Sequence, residues 1–168
     1  MVENKVIDPI VDEGRINEIA RLRLHEDQVD EILNDYVKKA AEEFDLPIGV
    51  VSIVLDDVQS FIASHGLEDW VSEVKGTPVE WAFCANSVRS GEEFVVEDSH
   101  NSIMKDSPIV TMEGIRCYAG VPLITKNDYV VGNFCVQGPK TRSFSATEIE
   151  KLKEYANVVM ERLEDRIK

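Results

Sequence analysis

Three thiols and three imidazoles carry most of the reactive chemistry in this 168-residue chain: Cys84, Cys117, Cys135, His25, His65 and His100. Nucleophilic or redox use of a cysteine needs a thiolate, which a neighbouring lysine, arginine or imidazolium stabilises. Cys84 has none beside it in sequence, lying in Trp81-Ala-Phe-Cys-Ala-Asn86. Free cysteines in such company usually fill core space as small hydrophobes, so core filling is the simpler reading for Cys84 and also for Cys135. The histidines have no metal-ligand spacing among themselves or with the cysteines. No phosphate-cradling glycine loop, nucleophile elbow or HExxH helix is present. These observations favour a binding module over an enzyme, with no metal site.

Two further segments invite a functional reading. Asp98 precedes, and Asp106 lies within, a long polar connection from Ser99 to Gly114. Asp98 either contacts a ligand or caps its own loop backbone, as short acidic side chains often do. Tyr118-Ala-Gly-Val-Pro-Leu123 places small residues in a strand, and Gly132-Asn-Phe-Cys135 follows in its partner. Alternation sends Arg116, Tyr118 and Gly120 to one face and Cys117, Ala119, Val121 and Leu123 to the other. The small residues Gly120 and Ala119 are expected to leave a hollow beside the sheet.

The elements that position these residues follow from periodicity and end signals. Residues 1–14 read as a flexible arm, and 15–168 as a single domain with its flanking helices. Ile16, Ile19, Ala20 and Leu22 form a partial helical stripe. Arg15, Arg21 and Arg23, flanked by Glu18 and Glu26, read as a solvated helix face. Asp27 can cap a stronger helix, in which Val29, Ile32, Leu33, Tyr36, Val37, Ala40 and Phe44 recur at helical spacing before Pro47. Gly49–Leu55 is a β-branched central strand, returned by Gln59–His65 as a hairpin. Thr77-Pro-Val-Glu80 has the form of a capping box that starts the helix carrying Trp81, Cys84, Ala85 and Val88. Phe94–Val96 is a brief strand. Ile115–Thr125 and Tyr129–Gln137 make a second hairpin around Lys126–Asp128. Ser145-Ala-Thr-Glu148 launches a last helix with Ile149, Leu152, Ala156, Val159, Leu163 and Ile167 on one stripe.

This order alternates too little for a doubly wound parallel sheet. It predicts an α+β domain: a central antiparallel sheet of five or six strands, terminal helices on one face, and a short helix with a long loop over a cavity on the other. The Phe83-Cys-Ala85 and Tyr118-Ala-Gly-Val-Pro-Leu123 segments resemble the GAF family, whose fold is this GAF/profilin-like arrangement, from about Asp27 onward. The resemblance implies a sensory or regulatory domain that binds a small molecule, with Trp81, Phe83, Cys84, Asn86, Asp98, Met104 and Tyr118 lining the cavity. It also implies a homodimer through the terminal helices or a protein signalling partner. Neither the ligand nor any cofactor is identified. The chain departs from the family where histidine commonly stands at Asn86, and where Ser102, Met104 and Lys105 replace an aspartate and an Arg-Phe pair.

Composition sets outer limits. Hydrophobic residues make up 43% of the chain, enough for a core at this length. Eighteen Lys and Arg against 32 Asp and Glu give a net charge of −14, which repels nucleic-acid phosphates and anionic membrane surfaces. An odd cysteine number in apolar surroundings suits reduced thiols in a cytoplasmic protein, and no apolar run spans a bilayer. Alternatives from other classes are a thiol-dependent free methionine sulfoxide reductase, a bilin photosensor, and a dimerising scaffold without ligand.

Overall fold

The computed structural model describes residues 9–24, 31–55, 58–66, 76–78, 84–102, 105–111 and 114–165. Six strands form one sheet: β1 Ile48–Val54, β2 Val58–His65, β3 Gly76–Pro78, β4 Phe94–Val96, β5 Cys117–Ile124 and β6 Val130–Gly138. Their order is β3-β2-β1-β6-β5-β4, and every neighbouring pair runs antiparallel. The helices are α1 Glu13–Arg21, α2 Glu31–Glu43, α3 Cys84–Ser90, α4 Pro108–Thr111 and α5 Ala146–Asp165. Single 3-10 turns lie at Pro9–Val11 and Ser99–Asn101.

The centre of the sheet is buried on both faces, as the continuous apolar runs of β1 and β6 require. Alternation then makes two cores. Val51 and Ile53 of β1, Ala119, Val121 and Leu123 of β5, and Phe134 and Val136 of β6 meet the apolar stripes of α1, α2 and α5. Val50 and Val54, Tyr118 and Cys135 point the other way, against Ala85 and Val88 of α3, Val96, Val110 and Ile115. Each large side chain so buried contributes about 1.5–3 kcal/mol relative to exposure, so both faces hold the sheet between its helical layers. This is the expected architecture, with six strands and with α3 opposite the terminal helices.

Local signals explain the ends. Ser145 and Glu148 exchange hydrogen bonds with each other's backbone N–H, both at 3.1 Å, and so close the capping box of α5. Gly91 takes φ +72° after α3, and its N–H donates to the Ser87 carbonyl at 2.8 Å; this is a glycine stop. Thr125–Tyr129 closes the β5–β6 turn through its backbone.

Four expectations need correction. Thr77 and Pro78 do not start a helix; they lie in β3, the outermost strand, which pairs with β2. Proline is tolerated at an edge because its missing N–H need face no partner. Ile32, placed on the apolar stripe of α2, is exposed, since the stripe that meets the sheet runs through Leu33, Val37, Ala40 and Ala41. Residues 9–14 are not all loose arm: the Pro9–Val11 turn buries Ile10, and Asp12 caps α1 by accepting from the Arg15 N–H at 2.9 Å. Arg15 is not on a solvated face but 3% exposed. Asp27, Val29 and residues 1–8 lie outside the described residues, as does Ile167.

Candidate functional site

The face opposite the terminal helices is apolar apart from a set of buried polar side chains. Tyr118 donates its phenolic hydrogen bond to Asn133 Oδ1 at 2.9 Å, and Asn133 Nδ2 donates to Ser87 Oγ at 2.8 Å. All three are essentially inaccessible. The chain of bonds ties β5 to β6 and β6 to α3, the helix that Cys84 opens. Glycine at 120 makes it possible, because a Cβ there would lie 2.3 Å from the Tyr118 hydroxyl and 2.6 Å from Asn133 Oδ1. The hollow expected at Gly120 is therefore occupied by the Tyr118 phenol and the Asn133 amide. Ala119 adds nothing to it, since Ala119 belongs to the opposite core. The Tyr118 ring also meets Phe94 at a tilt of 54°, centroids 6.1 Å apart.

Two oxygens on the same face lack a partner. Ser52 Oγ and Gln137 Oε1 are buried and make no hydrogen bond. Ser52 pairs across the sheet with Asn133 and Gln137 with Tyr118, so both border the bonded set. Leaving a buried polar atom unsatisfied costs about 1–3 kcal/mol, which makes such atoms informative.

Asp98 behaves as a loop organiser. Its carboxylate accepts from the His100 N–H at 3.1 Å, from Asn101 Nδ2 at 3.2 Å and from Arg116 at 2.9 Å. The Arg116 guanidinium and the His100 amide hold its carboxyl below the usual aspartate range. Ser99 fastens the same loop to the residues leading into β5, donating its hydroxyl to the Ile115 carbonyl at 2.6 Å and its N–H to the Arg116 carbonyl at 2.8 Å. Asp98 thus caps the Ser99–Asn101 turn.

Of the other expected lining residues, Trp81, Phe83 and Met104 lie outside the described residues. Cys84 is the first residue of α3, and its side chain is likewise outside what is described. Asn86 is half-buried on α3. Cys117 and Cys135 are reduced and buried. Cys135 fills the core behind Tyr118, whereas Cys117 sits on the strand face shared with Ala119 and Val121. Burial pushes the Cys117 thiol up, away from thiolate. Among the described residues no group of three or more His, Cys, Asp or Glu could hold a metal ion. No helix among them is long and apolar enough to cross a membrane.

Sequence reasoning missed Ser52, Ser87, Asn133 and Gln137. The available signal was a polar residue inside an otherwise apolar strand run, at Ser52 and at Asn133, since buried polar groups are the informative exceptions to a hydrophobic interior.

The chain has relatives among known proteins. It is 31% identical over 148 residues to a cyclic di-GMP phosphodiesterase of Pseudomonas aeruginosa, a match covering 86% of this chain and 24% of that protein. The chain thus spans about a quarter of the length of that relative. Its fold is similar to free methionine-R-sulfoxide reductase from Neisseria meningitidis, with TM-score 0.66, 16% identity, and 98% of this chain and 95% of that one covered. It is also similar to the blue-light-absorbing form of the Thermosynechococcus elongatus PixJ GAF domain, with TM-score 0.57, 17% identity, and coverage of 92% and 91%. The GAF domain family model matches residues 28–163. With the six-stranded antiparallel sheet, the helices on either side of it and this match over most of its length, the chain belongs to the GAF domain family.

Proposed function

We propose that this GAF domain is a sensory or regulatory module that binds a small molecule on the sheet face opposite the terminal helices and acts through self-association or a protein partner rather than by catalysis. The observation that carries this reading is the pair of buried, unpartnered oxygens of Ser52 and Gln137 beside the Tyr118–Asn133–Ser87 set. A ligand that hydrogen-bonds there would relieve a standing desolvation cost. It would shift the domain between states only by its differential affinity for them. The phosphodiesterase relative fits a regulatory role, because the match covers a minor part of a much longer protein.

Self-association has support on the other side of the molecule. Val158 of α5 and Ile32 of α2 are exposed. A groove of about 600 Å³ lies between these helices, lined by Tyr36, Lys39, Glu42, Lys151, Glu154 and others. The thiol-reductase alternative has less behind it. Cys117 faces away from the polar set with a raised thiol pKa, and Cys135 is packed in an apolar core.

Native mass spectrometry of freshly purified protein tests the reading directly, since it reports bound small molecules and oligomeric state together. The expected result is a mass excess that disappears on denaturation and is reduced in an Asn133→Leu variant. Protein of bare chain mass, together with an unshifted melting temperature across a metabolite panel, would leave only the scaffold reading. Turnover of free methionine-R-sulfoxide with NADPH and thioredoxin would instead restore the enzyme.

A further inference from the structure

The described residues before the family match, 9–24, hold the Pro9–Val11 turn and α1, and their docking is unlike that of the other helices. Ile19, Leu22 and Leu24 enter the terminal-helix core. Ile10 is instead part of the opposite core, with Ala85 and Val88 of α3. The segment therefore passes around one end of the sheet and touches both layers.

That passage is fastened by charge. The Arg15 guanidinium donates to the carbonyls of Ile10, Val54 and Leu55, the last at 3.2 Å. It thus holds the turn against the end of β1. One helical step on, the Glu18 carboxylate accepts from Thr125 Oγ1 at 3.0 Å and Asn127 Nδ2 at 3.2 Å in the β5–β6 turn, and from Arg21. Arg21 also pairs with Glu164 of α5 at 3.1 Å, and Glu164 accepts from the Lys126 N–H at 3.3 Å. Arg15 and Glu18 are 3% and 4% exposed. Replacing buried charges by apolar groups of similar volume is often neutral or stabilising, so stability alone gives little reason for this arrangement. A charged array does differ from packed leucines in one respect: it has discrete bonded and broken states, and losing one partner leaves the others exposed to a large cost.

We propose that α1 and the Pro9–Val11 turn form a clasp that couples the α3 side of the sheet to the last turns of α5. Movement of α3 displaces Ile10, which loosens Arg15 from the end of β1 and, through Glu18 and Arg21, releases Glu164. This deepens the regulatory reading above by naming its transmission route, and it rests on that reading only for what moves α3. The coupling itself belongs to the ligand-free protein.

Hydrogen exchange on the full, ligand-free chain tests it in both directions, because coupling between two sites is reciprocal. Ile10→Ala is expected to accelerate amide exchange about tenfold in α1, in the Thr125–Tyr129 turn and in residues 162–165. The centres of β1 and β6 should keep their rates. Glu164→Gln, at the far end, is expected to accelerate the amides of α3 and Gly91 by a similar factor. Acceleration confined to the mutated element in each variant would overturn the proposal, as would uniform acceleration across the sheet. Should Ile10→Ala be too unstable to measure, Glu164→Gln alone decides the matter. A positive exchange result with no bound molecule in the mass spectrum would keep the clasp and remove the sensing assignment.

Discussion

At Gly120 a single added methyl group would have no room: its carbon would stand 2.3 Å from the Tyr118 hydroxyl and 2.6 Å from Asn133 Oδ1. Both are groups fixed in a buried hydrogen bond, so neither can swing away without losing a partner. Gly120→Ala is therefore expected to destabilise the domain by about 1–3 kcal/mol in urea unfolding, through overpacking and a broken bond together. Tyr118→Phe keeps the ring against Phe94 but strips Asn133 of its donor, for a cost of about 1 kcal/mol. If the alanine variant were as stable as the parent, the glycine would have no role in seating the phenol. Tyr118 and Asp98 were legible in the sequence as residues of consequence, but their partners were not. Which atom a buried hydroxyl or carboxylate reaches depends on contacts 15 or more positions away, as from Tyr118 to Asn133 and from Arg116 to Asp98. No local pattern encodes these distances. Arg15 was misread for the same reason: nearby charges such as Glu13 and Glu18 suggest a solvated face, while its partners Val54 and Leu55 lie 39 and 40 residues on.

Elements whose reasons are local were the ones readable in advance. The Ser145/Glu148 box, the α5 stripe, both long hairpins and the two-faced sheet follow from capping chemistry and periods of 3.6 and 2. Thr77-Pro-Val-Glu80 has a valid helix-start pattern, yet Gly76–Pro78 is used as a strand because pairing with the open edge of β2 satisfies backbone groups that no cap could. The box at α5 yields a graded prediction. Ser145→Ala removes one cap acceptor and should cost about 1 kcal/mol. Glu148 does more than complete the box. It also accepts from Arg142, whose guanidinium lies 4.6 Å over the Phe144 ring and 6.0 Å from that of Phe44 at the end of α2. Glu148→Ala should therefore lose more than Ser145→Ala, and the two together should be non-additive because they share one bonded unit. Equal and additive losses by urea unfolding would mean that the Arg142 contact holds nothing.

For the molecule as a whole, charge sets the response to pH. A net charge of −14 means the folded chain repels itself at neutrality, so mild acidification first relieves repulsion. Against this stand carboxylates that the fold needs ionised. Burial alone would raise the pKa of Glu18, but hydrogen bonds from Arg21, Thr125 and Asn127 outweigh it and hold the group below the usual glutamate range. The Arg142 and Ser145 bonds do the same for Glu148. A pKa lowered in the folded state means that the unfolded chain takes up the proton first as pH falls. The stabilisation from such groups is thus complete above the ordinary glutamate value of about 4.3 and is lost as pH drops through the lower folded value. The two effects act in different windows, which places the stability maximum on the acid side of neutrality, with a steep loss below about pH 4. Glu18→Gln separates them. It removes only one charge in a chain with many, so the neutral-side slope should persist. At pH 7 it should cost about 1.5–3 kcal/mol, the worth of hydrogen bonds to a charged group, and the steep acid limb should flatten because one group that drives it is gone. Urea midpoints from pH 3 to 8 read both limbs. An acid limb unchanged in Glu18→Gln would show that the clasp carboxylate titrates as it does in the unfolded chain and would overturn the role given to the bonds from Arg21, Thr125 and Asn127.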